Sequence, residues 1–216
     1  MRAEIVPAIL THNLEEYTAK LELLERSTSL WAHLDIMDGQ FVPNITVMPH
    51  EIMGIPTKLR LEVHLMTFAP ERHYSDLAVL GVLRVLLHRE AFENEEECCS
   101  ALLNAKDYFS EVGLVYSPKT QIVSPEKFST EVIQIMGVEP GASGQAMLDD
   151  TWERVKQVAD SDFQGIISVD GGINESNIQD LRKNGAERFI IASRLFASSN
   201  ITQNVQHFNR ILTEGI

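Results

Sequence analysis

Histidine and carboxylate residues stand two positions apart in this sequence, a spacing that can place them side by side. His33 and Asp35 form one such pair, and His64 and Asp170 lie in segments of similar character. In a β-strand, side chains two residues apart point to the same face. An imidazole beside a carboxylate can bind a metal or transfer a proton, although a single His-x-Asp pair is equally compatible with a hydrogen-bonded pair in a protein core.

The elements that must position these residues alternate between strands and helices. Strand-like runs are predicted at Glu4–Leu10, Leu30–Met37, Leu59–Met66, Val82–His88, Glu111–Ser117, Val132–Val138, Gly165–Gly171 and Arg188–Ala192. Amphipathic helices are predicted at Leu14–Arg26, Pro70–Leu80, Glu95–Ala105, Leu148–Ala159, Glu175–Lys183 and Thr202–Leu212. Eight strands alternating with helices predict a (β/α)₈ TIM barrel, with an open doubly wound sheet as the second choice. No change of composition marks a linker, so we expect one catalytic domain over residues 1–216.

A barrel requires the functional residues to lie at the carboxyl ends of strands, on positions that point inward. The sequence meets this requirement at four strands, with inward positions at His33, Asp35, Met37, Glu62, His64, Met66, Met136, Ser168 and Asp170. Two carboxylates facing one cavity would repel each other unless a cation or a shared proton lies between them. Two imidazoles and two carboxylates would suit zinc, iron(II), manganese or cobalt, and the ligand types do not choose among these metals.

Small residues follow the last three strands. The segments are Pro140–Gln145, Gly171–Asn174 and Ala192–Arg194. In barrels, the loops after strands seven and eight, together with a short extra helix, form a recurrent phosphate site. Gly-rich βα turns without a ligand are the alternative, and the loop after strand six could also act as a lid.

Composition narrows the classes of partner and the compartment. The 216 residues carry a formal net charge of −13, which argues against nucleic acid as a partner. No apolar run is long enough to span a membrane, and the first residues do not form a signal peptide, so we expect a cytoplasmic protein. Cys98 and Cys99 are adjacent and match no metal spacing.

The sequence resembles the ribulose-phosphate 3-epimerase family over nearly its whole length. The motifs that carry the resemblance are Val6–Leu10, His33–Asn44, Glu62–Met66, His88–Glu90, Ser117–Thr120, Met136–Gln145, Val169–Ile173, and Ala192-Ser193 before Phe196. They occur in the order that the family has.

The resemblance implies a (β/α)₈ TIM barrel of the ribulose-phosphate-binding type, a reaction and a set of site residues. It implies interconversion of D-ribulose 5-phosphate and D-xylulose 5-phosphate by two-base proton transfer at C3, through an enediolate stabilised by a divalent metal and without an organic cofactor. Asp35 and Asp170 match the acid/base pair, and His33, Asp35, His64 and Asp170 match the metal ligands. Substrate contacts are expected from Ala8, Met37, His64, Met66, Met136, Gly141, Ala142, Ser143, Gly144, Gly171, Gly172, Ala192 and Ser193. Family members often self-associate, so a homo-oligomer is expected.

Four positions depart from the family pattern. Ala8 stands where the family usually has a serine, Ala142-Ser143 replaces Phe-Gly, and Ala192 replaces glycine. Two alternatives therefore stay open beside the pentulose-phosphate epimerase. One is an epimerase for a hexulose phosphate such as allulose 6-phosphate, and the other is a sugar-phosphate-binding protein without catalysis.

Overall fold

Eight parallel strands close into a barrel in the order of the sequence. The structure is a computed structural model that describes residues 3–197 and 200–214. The strands are β1 (Glu4–Ile9), β2 (Trp31–Met37), β3 (Arg60–Met66), β4 (Val82–His88), β5 (Glu111–Tyr116), β6 (Val132–Met136), β7 (Ile166–Asp170) and β8 (Arg188–Ile191). Each strand pairs with the next, and β1 pairs with β8. The predicted barrel and all eight predicted strands are confirmed.

Helices follow the strands. They are α1 (Leu14–Glu25), α2 (Pro49–Ile52), α3 (Tyr74–Val79), α4 (Glu95–Ala105), α5 (Thr151–Ala159), α6 (Ile178–Lys183), α7 (Ser193–Phe196) and α8 (Ile201–Glu214). No helix within the described ranges is long and apolar enough to cross a membrane. The single domain over 1–216 stays a prediction, and its residues 1–2, 198–199 and 215–216 lie outside the described residues.

Two helices begin three residues later than predicted, because turns take up the residues in front of them. The carbonyl of Leu148 accepts both the N–H and the hydroxyl of Thr151, which closes a turn before α5. Asn174 directly precedes Glu175, where the second of these helices was predicted to begin. The side chain of Asn174 accepts the N–H of Ser176, an Asx turn that delays α6 to Ile178. The short α7 after β8 is the extra helix that the phosphate-site interpretation requires.

The alternation of side chains along each strand sorts the barrel into two layers. Leu34 and Ile36 of β2 point out of the barrel toward the helices. There they share the main apolar core with Leu21 and Leu24 of α1. The residues between them, such as His33 and Asp35, are buried inside the barrel. The predicted facing of this strand is therefore confirmed.

A cluster of charged side chains fills the amino-terminal end of the barrel interior. Arg188 of β8 lies 2.7 Å from Glu111 and 3.2 Å from Glu62. Arg84 of β4 lies 3.1 Å from Glu4 and rests on the indole of Trp31, with its guanidinium carbon 3.4 Å from the ring centroid. Buried charges are tolerated only when paired, and here five strands supply the partners for one another.

Candidate active site

Four side chains converge at the carboxyl end of the barrel interior, as the spacing of the sequence predicted. His33 and Asp35 come from β2, His64 from β3 and Asp170 from β7, and one ligand atom from each lies within 4.8 Å of all the others. Nδ1 of His64 is 3.1 Å from Asp35 Oδ1 and 3.4 Å from Asp170 Oδ2. His33 Nε2 is 3.4 Å from the same Asp35 oxygen. Residues separated by more than 130 positions thus form one compact cluster.

His33 is oriented by a carboxylate on its far side. Its Nδ1 lies 2.7 Å from Glu62 Oε1, and both side chains are completely buried. Since an ionised carboxylate can only accept, Nδ1 donates, so the neutral imidazole that a metal binds would carry its lone pair on Nε2. Within the described part of the chain, that buried Nε2 makes no hydrogen bond. Nε2 is therefore the atom of His33 that a metal would bind, once the metal has displaced its proton.

The charges of the cluster favour a cation. Burial alone would lower the pKa of His33, but the carboxylates of Asp35 and Glu62 outweigh it and raise the pKa to about 10. Burial opposes ionisation of Asp35, yet His33 and His64 hold the pKa of that carboxyl well below its usual range. Burial is likewise overcome at His64, whose pKa is raised by Asp170 and Asp35. In the bare cluster, protons on the imidazoles balance the carboxylates, and a divalent cation could take their place.

The donor set fits the metal that the fold family implies. Two imidazoles and two carboxylates, supported by Glu62 behind His33, match the ligands and outer partners that divalent transition metals use in proteins. The four residues His33, Asp35, His64 and Asp170 could therefore hold a metal ion. These ligand types do not distinguish zinc from iron(II), manganese or cobalt.

Asp170 is held by two polar residues that the sequence analysis did not assign to the site. Gln134 of β6 donates from Nε2 to Asp170 Oδ2 at 3.3 Å, and Ser168 donates to Gln134 Oε1 at 3.1 Å. Gln134 and Ser168 are both fully buried. Their inward positions on β6 and β7 were the available signal, but only the register Gln134–Ser168 across the two strands joins them.

A cavity of about 280 Å³ opens above the cluster. Most of the predicted substrate contacts line it, as do both carboxylates: Asp35, Met37, Met66, Met136, Gly141, Ala142, Ser143, Gly144, Asp170, Gly171, Gly172, Ala192 and Ser193. His33 and His64 are completely buried beneath it. Ala8 is not among the lining residues, because it is buried in a small apolar cluster with Val6, Trp31 and Ile190.

The loops after β6, β7 and β8 meet at one side of this cavity. Gly172 has a φ of +70°, and a Cβ there would come within 2.5 Å of the backbone nitrogen of Met147. Only glycine allows this close approach. The side chain of Asn44, from the loop after β2, donates to the carbonyl of Gly141 and ties the two loops together.

Arg194 lines the cavity, although the sequence analysis gave its side chain no individual role. It is the only basic residue among the described residues that line the cavity, where Asp35, Glu139 and Asp170 supply negative charge. It follows directly on Ser193 in α7. Its position beside a Gly- and Ser-rich loop was visible in the sequence, but only the fold brings it to the cavity.

Known proteins resemble the chain in sequence and in fold. The model of the ribulose-phosphate 3 epimerase family matches residues 4–196. A ribulose-phosphate 3-epimerase of Chlamydia trachomatis is 33% identical over 207 residues, which cover 91% of this chain and 88% of that protein. The one from Escherichia coli K12 is 29% identical, covering 89% and 88%. A solved 3-hexulose-6-phosphate synthase aligns with a TM-score of 0.66 at 14% identity, covering 96% and 99%, which supports the fold alone. The sequence match, joined to the geometry above, shows that this chain belongs to the ribulose-phosphate 3-epimerase family.

Proposed function

We propose that this protein interconverts D-ribulose 5-phosphate and D-xylulose 5-phosphate by moving the proton on C3. The observation that carries the proposal is the placement of Asp35 and Asp170. These two carboxylates come from strands β2 and β7, both line one cavity, and both reach the cluster that could hold a metal. Family membership supplies the substrate class, and the cavity supplies the two acid/base groups that epimerisation needs.

In each carboxylate, one oxygen contacts the cluster and the other is available for proton transfer. Asp35 turns Oδ1 toward His33 and His64, and Asp170 turns Oδ2 toward His64 and Gln134. Among the described residues, the second oxygen of each makes no hydrogen bond, so it can take up a proton. In the proposed reaction, one carboxylate removes the C3 proton of the ketose and the other returns a proton to the opposite side.

Proton removal next to a carbonyl generates negative charge on the ketose oxygens. When bound at His33, Asp35, His64 and Asp170, a divalent cation supplies Lewis-acid stabilisation of that charge. Glu62 keeps the lone pair of His33 turned toward the site, and Gln134 keeps Asp170 turned toward the same point.

The remaining walls of the cavity have separate tasks. Met37, Met66 and Met136 form an apolar, polarisable surface that keeps water from the reacting carbons. We assign the phosphate to the loops of Gly141–Gly144, Gly171-Gly172 and Ala192-Ser193, where backbone N–H groups and hydroxyls can approach an anion.

A coupled assay for conversion of D-ribulose 5-phosphate, run on chelator-stripped protein before and after addition of zinc, iron(II), manganese or cobalt, tests the reaction and its metal together. We expect activity to vanish on stripping and to return with at least one metal. Folded protein that stays inactive with every metal would refute the proposed reaction.

The acid/base pair is tested by Asp35→Asn and Asp170→Asn. Each change keeps the shape of the side chain but removes its ability to take a proton, so we expect kcat to fall by about 10²- to 10⁴-fold. Deuterium incorporation at C3 from D₂O reports whether either variant still exchanges one face. Turnover near that of the wild type in either variant would contradict the two-base assignment.

The hexulose-phosphate alternative is not favoured, because the relatives reported above are named ribulose-phosphate 3-epimerases, after a five-carbon substrate.

We further propose a cytoplasmic location and a homo-oligomer. Cell fractionation checks the first, and the mass in solution by light scattering checks the second.

A further inference from the structure

A chain of hydrogen bonds runs outward from His64 and includes residues that bind neither metal nor substrate in the proposal above. His64 Nε2 lies 2.8 Å from His88 Nε2, and the two rings stack with centroids 4.8 Å apart. His88 Nδ1 lies 2.8 Å from Glu90 Oε2. The other oxygen of Glu90 accepts the backbone N–H of Ser117 at 2.9 Å.

This chain connects three adjacent strands at the level of the candidate metal site. His64 lies near the end of β3 and His88 ends β4, while Glu90 lies in the short turn that follows β4 and Ser117 follows β5. Both imidazoles are completely buried. Phe41 covers His88 with ring centroids 4.6 Å apart, so water has little access to the bonds.

The direction of every proton in the chain follows from its outer end. The carboxylate of Glu90 can only accept, so Nδ1 of His88 donates to it and Nε2 of His88 keeps a lone pair. That lone pair must accept from Nε2 of His64, because two facing imidazole nitrogens at 2.8 Å need one proton between them. When a metal takes the place of the second proton of His64, the lone pair is therefore on Nδ1, which faces Asp35 and Asp170.

We propose that His88 and Glu90 are positioning residues that fix the tautomer and the ring orientation of His64, so that its Nδ1 is presented to the metal. The inference rests on the metal site of the proposed function and extends it. It gives β4, the strand between β3 and β5 that supplies no ligand, a defined task. The arrangement parallels the support of His33 by Glu62, with an imidazole interposed between ligand and carboxylate.

Zinc affinity measures this role without any need for turnover. His88→Phe keeps an aromatic ring against Phe41 and His64 but removes the acceptor for His64 Nε2. We expect the Kd for zinc, measured by competition with a chromophoric chelator, to rise about 10- to 100-fold. His88→Gln retains an acceptor oxygen and should recover most of the loss. His207→Phe, an exposed position on α8, is the matched control and should leave the Kd unchanged.

A second variant keeps the test decisive if His88→Phe does not fold. Glu90→Gln removes the charge that holds the proton on His88 Nδ1, and it should also weaken zinc binding. Unchanged zinc affinity in folded His88→Phe, or in Glu90→Gln where the first variant does not fold, would overturn the proposal. A wild-type protein that binds no zinc would overturn it as well.

Nitrogen-15 NMR of the zinc-loaded protein reads the tautomers directly. We expect the proton of His64 on Nε2 and that of His88 on Nδ1, and the opposite pattern would refute the inference. The outcome is separate from that of the proposed function. Zinc bound with the expected tautomers but without epimerase activity would refute the proposed reaction alone. An active enzyme whose zinc affinity is unchanged by both substitutions would refute only the positioning role of His88 and Glu90.

Discussion

Glu62 offers the sharpest single test of how the barrel interior supports the site. Its side chain is completely buried and joins two regions: Oε1 lies 2.7 Å from His33, and Oε2 lies 3.2 Å from Arg188 and 3.5 Å from Arg84. Glu62→Gln keeps the shape of the side chain and removes only its charge. Two buried guanidinium groups then lose a shared counter-ion, and an amide replaces the carboxylate acceptor of His33.

The magnitude follows from the burial. Removing one partner of a buried ion pair costs about 3–5 kcal/mol; here the two arginines would keep Glu4 and Glu111 but lose their only completely buried counter-ion among the described residues. For a chain of this size, each kcal/mol lowers Tm by about 2–4 °C, which gives a drop of about 6–20 °C. Since Glu62 also holds the His33 proton on Nδ1, we expect the zinc affinity to fall about 10- to 100-fold.

Urea denaturation and chelator competition measure the two effects separately. The control is Glu22→Gln, which removes an exposed pair with Arg26 on α1 and should change the free energy of unfolding by no more than about 0.5 kcal/mol. A loss below about 1 kcal/mol for Glu62→Gln would refute the reasoning, since it would match an exposed pair.

The same variant has a defined pH dependence. Burial opposes ionisation of Glu62, but His33 and the two arginines lower its pKa below the usual value. A carboxyl whose pKa is lowered on folding contributes stability above its unfolded pKa, and this contribution is lost as the pH falls through the folded pKa. The difference between wild type and Glu62→Gln should therefore shrink in acid, below about pH 4.

Three further predictions address the cavity, the core and β1. Arg194→Ala removes the one basic side chain among the described residues that line the cavity, so KM for the sugar phosphate should rise about tenfold. The exposed control Arg210→Ala should leave KM unchanged. An unchanged KM in Arg194→Ala would show that Arg194 does not reach the phosphate. Burial raises the pKa of Cys98 and of Tyr17 to about 12, so the unfolded chain releases these protons at a lower pH than the folded protein does. The free energy of unfolding should therefore fall as the pH rises from about 8 to about 10. Urea denaturation measures it, and a value that does not change with pH over this range would contradict the prediction. Ala8→Ser places a hydroxyl in an apolar cluster, so the free energy of unfolding should fall by about 1–3 kcal/mol while KM stays unchanged. An altered KM would place position 8 in contact with the substrate.

The alternation of residues along the strands is what made the fold and the metal cluster predictable. His33 and Asp35 share a parity on β2, and parallel strands of a closed barrel bring equivalent ends together. Strand ends at His64 and Asp170 therefore had to meet them. Boundaries were less accurate where turns compete with helices, as at Thr151 and Ile178, because a side-chain hydrogen bond to the nearby backbone is as local as a helix cap.

The supporting residues could not be assigned in the same way. Glu62 and Gln134 carry the inward parity, but parity does not state which partner each one meets across the barrel. Glu62 contacts Arg188 over 126 positions of sequence, a pairing that only the closed barrel determines. The tautomers of His33 and His64 depend in turn on such partners, so the direction of each lone pair lies beyond the reach of the sequence pattern.

The pairing of Arg188 with Glu62 also has a consequence for folding during synthesis on the ribosome. Arg188 lies on the last strand, whereas His33, Glu62 and His64 leave the ribosome well over a hundred residues earlier. Until β8 emerges, Glu62 lacks this counter-ion and the barrel lacks the strand that joins β7 to β1. A fragment that ends between Asp170 and Arg188 would carry all four ligands and still lack their final arrangement. The candidate metal site is therefore complete only in a chain that includes the last strand of the barrel.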